Sequence, residues 1–265
     1  MSTPTPPSPR LPNSIAVIGA GQMGSGIAQV FAQAGCGVAL VDAAPAQLER
    51  ARDSIQSSLE RMAAKGKLPP AAGPDAVLAR IRFEGRADAC RGAEIVVEAV
   101  PEEEALKKRV FASVAPVAAK DAILATNTSS IPITRLAEAV PDPGRFLGIH
   151  FMNPVPVMAL VEVIAGRGTR EPVVGRAMEI VRALGKTPVR VNDAPGFVAN
   201  RILMPMINEA VAALEAGVAD AEGIDTVMNL GCGHPMGPLA LADLIGLDTC
   251  RAILEVMARE SGEER

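Results

Sequence analysis

His150 and His234 are the only histidines in the 265 residues, so the search for a proton-transfer group that works near neutral pH is short. His150 closes the stretch Phe146 to His150, and a second strand-like stretch, Leu160 to Ile164, carries Glu162. The proline-containing segment Phe151 to Ala159 joins the two. If they pair as antiparallel strands around that segment, His150 and Glu162, both six positions from Pro156, face one another. Directly opposed side chains in such a pair have Cβ atoms about 4.5–5.5 Å apart. A carboxylate at that distance orients the imidazole and favours the charge it takes up with a proton. His150 then reads as the base that removes a hydroxyl proton during hydride transfer, with Glu162 as its orienter. The plainer alternative is a core histidine tied to a strand glutamate for packing alone. His234 lies in Gly231-Cys232-Gly233-His234-Pro235 and reads as a turn and helix cap. One Cys and one His are too few ligands for zinc, and no metal is expected.

A carbonyl oxygen that gains negative charge on reduction needs hydrogen-bond donors aimed at it. Two neutral donors are available. Ser129 follows a strand in Asn127-Thr128-Ser129-Ser130, and Asn200 lies on the first helix of a C-terminal helical region. The competing readings are a helix N-cap for Ser129 and a surface amide for Asn200.

The cofactor signal stands near the start. Ser14 to Ile18 is a short strand that ends in Gly19-Ala20-Gly21-Gln22-Met23-Gly24, and an apolar helix follows through Ala34. Glycines at this spacing let the backbone turn tightly and approach a pyrophosphate, whose charge then meets the positive end of the helix. A second strand, Val38 to Val41, leads to Asp42, 18 residues after Gly24. A ribose-binding acid is expected there. Its carboxylate accepts hydrogen bonds from both ribose hydroxyls and repels a 2′-phosphate; the nearest following arginine is Arg50. NAD is therefore favoured over NADP.

The elements that hold these residues alternate. Strands at 81–83, 95–100 and 123–126 are separated by helical text such as Glu103 to Ala119, which predicts an α/β, doubly wound, Rossmann-type sheet, mostly parallel. A helix over Gly175 to Leu184 and a strand over Pro188 to Val191 close this domain, placed at 14–192. Beyond Asp193 only helices are expected, over Gly196 to Ala216, Ala221 to Leu230 and Leu239 to about Glu260, so a smaller all-helical C-terminal domain occupies 193–265. Residues 1–13 hold five prolines and one charged side chain and read as a disordered tail rather than a targeting peptide.

Composition narrows the partners. A net charge of -4 gives no general attraction to nucleic acid, and no stretch approaches the roughly 18 apolar residues of a membrane span. Four cysteines without CxxC spacing point to reduced thiols and a cytoplasmic location. The helical text from Ala46 to Lys67 is strongly charged and reads as a solvated face.

Five motifs in order carry a resemblance. They are the glycine loop; Asn127-Thr128-Ser129-Ser130; Gly148 to Met158; Asp193 to Phe197 with Asn200-Arg201; and Gly233 to Pro238. From Ile15 to about Met257 the chain resembles the L-3-hydroxyacyl-CoA dehydrogenase family, most closely its bacterial 3-hydroxybutyryl-CoA members. The resemblance implies His150 as catalytic base, Glu162 as its partner, and Ser129 and Asn200 as contacts of the substrate oxygen. It further implies Glu102 and Lys107 near the nicotinamide half of NAD, Asn127 beside the nicotinamide ribose, and Ser58 with Lys65 near the coenzyme A of an acyl-CoA substrate. A homodimer formed through the helical domain is implied as well. Family members continue a few dozen residues further, into a Gly-Arg-Gly-Phe-Tyr segment, whereas this sequence stops at Arg265. Two rival readings remain on the same scaffold: a sugar-acid dehydrogenase of the L-gulonate type, and an inactive NAD-binding structural protein.

Overall fold

The computed structural model describes residues 10–68 and 73–262. The chain divides into two compact units, one of residues 1–128 and 132–193, the other of residues 129–131 and 194–265. Most of the proline-rich tail lies outside the described residues. Residues 10–13, assigned to that tail from sequence, are instead part of the packed structure: the Asn13 amide donates to Glu94 Oε1 at 2.8 Å and its carbonyl accepts from Gly37 at 2.9 Å.

The first unit runs β1 (Ser14–Ile18), α1 (Gln22–Gln33), β2 (Gly37–Val41), α2 (Pro45–Ala64), α3 (Pro74–Leu78), β3 (Ile81–Glu84), β4 (Ile95–Glu98), α4 (Glu104–Val114), β5 (Ile123–Thr126), α5 (Ile133–Leu136), β6 (Phe146–Phe151), β7 (Leu160–Ala165), α6 (Glu171–Ala183) and β8 (Thr187–Asn192). The eight strands form one sheet in the order β3-β2-β1-β4-β5-β6-β7-β8. Strands β1 to β6 are parallel, β7 runs antiparallel to β6, and β8 is parallel to β7. Strand order reverses beside β1, the place where open α/β sheets bind ligands at their carboxyl edge.

The central strands are continuous apolar runs because helices cover both faces. Ile15, Val17, Leu40 and Val97 are buried from the sheet, and Ile27, Phe31, Ile55 and Leu59 meet them from α1 and α2. Proline occupies the first turn of α2, α3 and α6, where its missing N–H costs no helical bond. The helix expected over Glu103 to Ala119 ends at Val114. Pro116 accounts for this: Ala115 before it still has helical angles and bonds to the Phe111 carbonyl, but proline has no N–H to donate the next helical bond.

The second unit holds α7 (Ala199–Glu215), α8 (Ala221–Thr226), α9 (Pro238–Ile245) and α10 (Leu247–Ser261). Its small core gathers Met204, Ile207, Ala242, Cys250 and Met257. The single helix expected from Leu239 to Glu260 is two, because Gly246 adopts φ +99° between them. The helix expected over Ala221 to Leu230 gives way after Thr226 to a π-helical turn over Val227–Gly231.

Candidate active site

The loop after β1 is shaped by backbone contacts that only glycine allows. Gly19 takes φ +98°, and a Cβ there would stand 2.6 Å from the Ala99 carbonyl oxygen; at Gly24 it would stand 1.8 Å from the Gly19 oxygen. At Gly21, by contrast, a Cβ would meet nothing within 4 Å. The strand-to-helix turn thus packs tightly on its protein side and keeps an open cradle at the N-terminus of α1, where Gln22 and Met23 form the first turn. Asp42, at the end of β2, lies beside it. Its Oδ2 accepts from the Ala20 amide at 2.8 Å and its Oδ1 from the Ala44 amide at 2.9 Å. Each oxygen keeps a second lone pair for a ribose hydroxyl. A cradle at a helix N-terminus, flanked by a fixed carboxylate, fits a dinucleotide with an unphosphorylated ribose.

Three strands from β1 along the same sheet edge, on β6, a paired histidine and glutamate appear. His150 and Glu162 are register partners across β6 and β7, and His150 Nδ1 lies 2.8 Å from Glu162 Oε2. Both side chains are buried, Glu162 almost completely. With Nδ1 bonded to the acid, the imidazole is held in one orientation and its proton chemistry is directed through Nε2. Asn127 sits next to this pair: its Oδ1 accepts from the amide of Phe151 at 2.9 Å, tying the end of β5 to the residue after His150.

Glu102 and Lys107 belong to a buried network whose centre the sequence reading missed. Glu98, the last residue of β4, has no exposed surface. Its Oε1 lies 2.8 Å from Lys107 Nζ and its Oε2 accepts from Thr126 Oγ1 at 2.7 Å. Lys107 also reaches Glu102 Oε2 at 3.2 Å and the Val100 carbonyl at 3.1 Å, and Thr128 donates to Glu102. Burial raises the Glu98 pKa, and the Lys107 charge and the hydrogen bonds from Lys107, Thr126 and Val100 offset this only in part. The signal in the sequence was a lone charge inside the otherwise apolar run Ile95 to Val100. The network stands beside the glycine loop, since Gly19 packs on Ala99.

Ser129 and Asn200 come together in the second unit, where Asn200 Nδ2 donates to the Ser129 carbonyl oxygen at 3.2 Å. The amide is buried rather than a surface group. Ser129 is no helix cap either, for α5 begins after Pro132. Ser58 lies on α2 and is half-buried, and Lys65, exposed, is the C-cap residue that follows it; both stand on a different element from the His150–Glu162 pair.

The model of the 3-hydroxyacyl-CoA dehydrogenase NAD-binding domain matches residues 14–194, and that of the 3-hydroxyacyl-CoA dehydrogenase C-terminal domain matches residues 196–265. The chain belongs to the 3-hydroxyacyl-CoA dehydrogenase family. Like other 3-hydroxyacyl-CoA dehydrogenases it is an NAD-dependent oxidoreductase acting on a CH–OH group. Among similar proteins, a probable 3-hydroxybutyryl-CoA dehydrogenase of Deinococcus radiodurans is 50% identical over 94% of this chain and 89% of its own length. That of Bacillus subtilis is 48% identical over 95% and 87%. The crystal structure of (S)-3-hydroxybutyryl-CoA dehydrogenase PaaH1 from Ralstonia eutropha superposes with a TM-score of 0.91 at 44% identity, covering 95% of this chain and 89% of that one. Neither the sugar-acid reading nor the inactive one is favoured by this company. No helix among the described residues is long and apolar enough to cross a membrane, and among them no group of His, Cys, Asp and Glu is arranged to hold a metal ion.

Proposed function

We propose that this dehydrogenase interconverts 3-hydroxybutyryl-CoA and acetoacetyl-CoA, with His150 as the general base. The observation that carries the reading is the 2.8 Å contact between His150 Nδ1 and Glu162 Oε2 at the sheet edge that also bears the glycine loop. In the oxidative direction His150 Nε2 takes the proton of the C3 hydroxyl, and Glu162 stabilises the imidazolium that forms. NAD, when bound, supplies the hydride acceptor. Ser129 and Asn200 donate to the substrate oxygen, Asn127, Glu102 and Lys107 shape the nicotinamide end of the cofactor site, and Ser58 and Lys65 meet the coenzyme A portion of the substrate.

A cytoplasmic homodimer completes the proposal. Of the thirteen large hydrophobic residues that stand exposed among the described residues, ten belong to the helical unit, including Ile202, Val218, Leu230 and Leu244. An apolar surface so concentrated suits contact with a second copy, which sedimentation at micromolar concentration checks; a monomer there removes this part of the reading.

The decisive experiment is His150→Gln assayed with acetoacetyl-CoA and NADH. Loss of a general acid–base group lowers kcat by about 10²–10⁴-fold, while NADH affinity stays close to that of the parent. Unchanged turnover would eliminate the assignment.

A further inference from the structure

The loop between β6 and β7 has a fastening that the catalytic reading does not use. Lys186, in the turn from α6 to β8, donates from Nζ to the Val155 carbonyl at 2.7 Å and to the Met158 carbonyl at 2.6 Å. Among the described residues no carboxylate lies within 4 Å of it to form an ion pair, and burial lowers its pKa. A half-buried ammonium without an acid costs desolvation energy, which here is offset by the two loop carbonyls it joins rather than by an opposite charge. The two carbonyls it joins bracket Pro156 and Val157, and the Val157 and Met158 amides both return to the Pro154 carbonyl at 3.0 Å. On the other side the loop rests on α1, where a Cβ at Gly26 would stand 2.8 Å from Val155 Cβ. The segment is therefore clamped from two sides.

What the clamp presents is a wall. A cleft of about 430 Å³ lies between this loop, α1 and the end of α2, lined among others by Val157, Met158, Met62, Lys67 and Lys186, and among the described residues that line it none is acidic. That volume is within the range of small-molecule sites. Met62 stands on α2 four residues after Ser58 and three before Lys65, the residue that caps the helix, spacings that put the three on one side of it. Two cations and a set of Val and Met side chains, on a chain of net charge -4, suit a ligand that is anionic at one end and apolar along its length.

We propose that Lys186 is a positioning residue for substrate recognition, holding Val157 and Met158 in place as the wall against which the coenzyme A portion of the substrate lies. This rests on the substrate assigned above. The test measures free CoA and NADH affinities by calorimetry, and acetoacetyl-CoA kinetics, for the parent, Lys186→Met, Lys186→Arg and Met158→Ala. Lys186→Met weakens CoA binding and raises the acetoacetyl-CoA KM about tenfold, with kcat and NADH affinity near the parent values; Lys186→Arg recovers much of the loss. Met158→Ala raises the same KM, and the double variant Lys186→Met with Met158→Ala falls short of the sum, as residues acting through one wall must. Unchanged CoA affinity in both single variants, or kcat and NADH affinity falling together with it, overturns the role of Lys186. Absence of acetoacetyl-CoA turnover by the parent would instead strike the substrate assignment itself, and CoA affinity still reports on the clamp.

Discussion

At the scale of single residues, the site depends on buried charges whose partners are fixed by the ends of neighbouring strands. Glu98 shows how much such a group constrains. Its carboxyl is held by Lys107, Thr126 and the Val100 amide, yet burial still raises its pKa above 4.5. For an acid whose folded pKa exceeds its unfolded one, the folded state binds the proton more tightly. Its contribution is most favourable below the unfolded value, and stability is lost as pH rises from there through the folded value. Glu98→Gln removes that loss and leaves Lys107 with a neutral partner. The stability of this variant relative to the parent therefore improves as pH climbs from 4.5 upward, then levels once Glu98 is ionised. Urea melts of both proteins across this range check the sign; a difference that is flat or slopes the other way contradicts the burial-dominated account. Glu162→Gln probes the neighbouring acid. It keeps the hydrogen bond and removes the charge that steadies an imidazolium, so kcat falls by about 10²-fold or more with little change in NADH affinity, as stopped-flow hydride transfer and NADH fluorescence would report.

At the scale of elements, the cofactor loop is the most demanding turn in the chain. Gly24→Ala would put a methyl carbon 1.8 Å from the Gly19 oxygen, and since that oxygen is backbone the turn must open. The expected result is a loss of NADH affinity of at least about tenfold, since a displaced turn no longer approaches the pyrophosphate; tight NADH binding by the variant would refute it. This turn was legible in the sequence because glycine spacing, strand and acid all report one backbone conformation. The pairing of His150 with Glu162 was legible for a related reason: a strand period of two and a shared distance from Pro156 set a register, and the sheet adopts it. The elements that were misjudged are those where periodicity says nothing about termination. Gly246 divides an unbroken apolar pattern into α9 and α10 through a positive φ, and Pro116 stops α4 although Val117, Ala118 and Ala119 follow it. Glu98 was overlooked because an isolated acid in a strand cannot be told from an exposed one until the neighbours that bury it are known.

At the scale of the whole molecule, the two compact units carry separate cores, and their cysteines make each core readable. Cys36 and Cys90 are buried in the first unit, and burial pushes both thiols up to about 11. In the second unit Cys250 is buried with its pKa raised, while Cys232 is exposed. Alkylation proceeds through the thiolate, and at pH 8 a thiol of pKa 11 is ionised to only about one part in a thousand. Iodoacetamide therefore labels the native protein at Cys232, and Cys36, Cys90 and Cys250 become reactive only as the structure around them opens. Pulsed labelling along a urea series then reports the units independently. The helical core of Met204, Ile207, Ala242, Cys250 and Met257 is much the smaller, so Cys250 is exposed at lower urea than Cys36 and Cys90. NADH adds a second handle, because a ligand that binds only the folded state at about a hundredfold excess over its Kd stabilises that state by about 2.7 kcal/mol. With the glycine loop, Asp42 and the Glu98 network all in the first unit, that gain delays the labelling of Cys36 and Cys90 and leaves Cys250 close to where it was. Protection of all three buried thiols together would mean that the cofactor closes both units as a single cooperative structure.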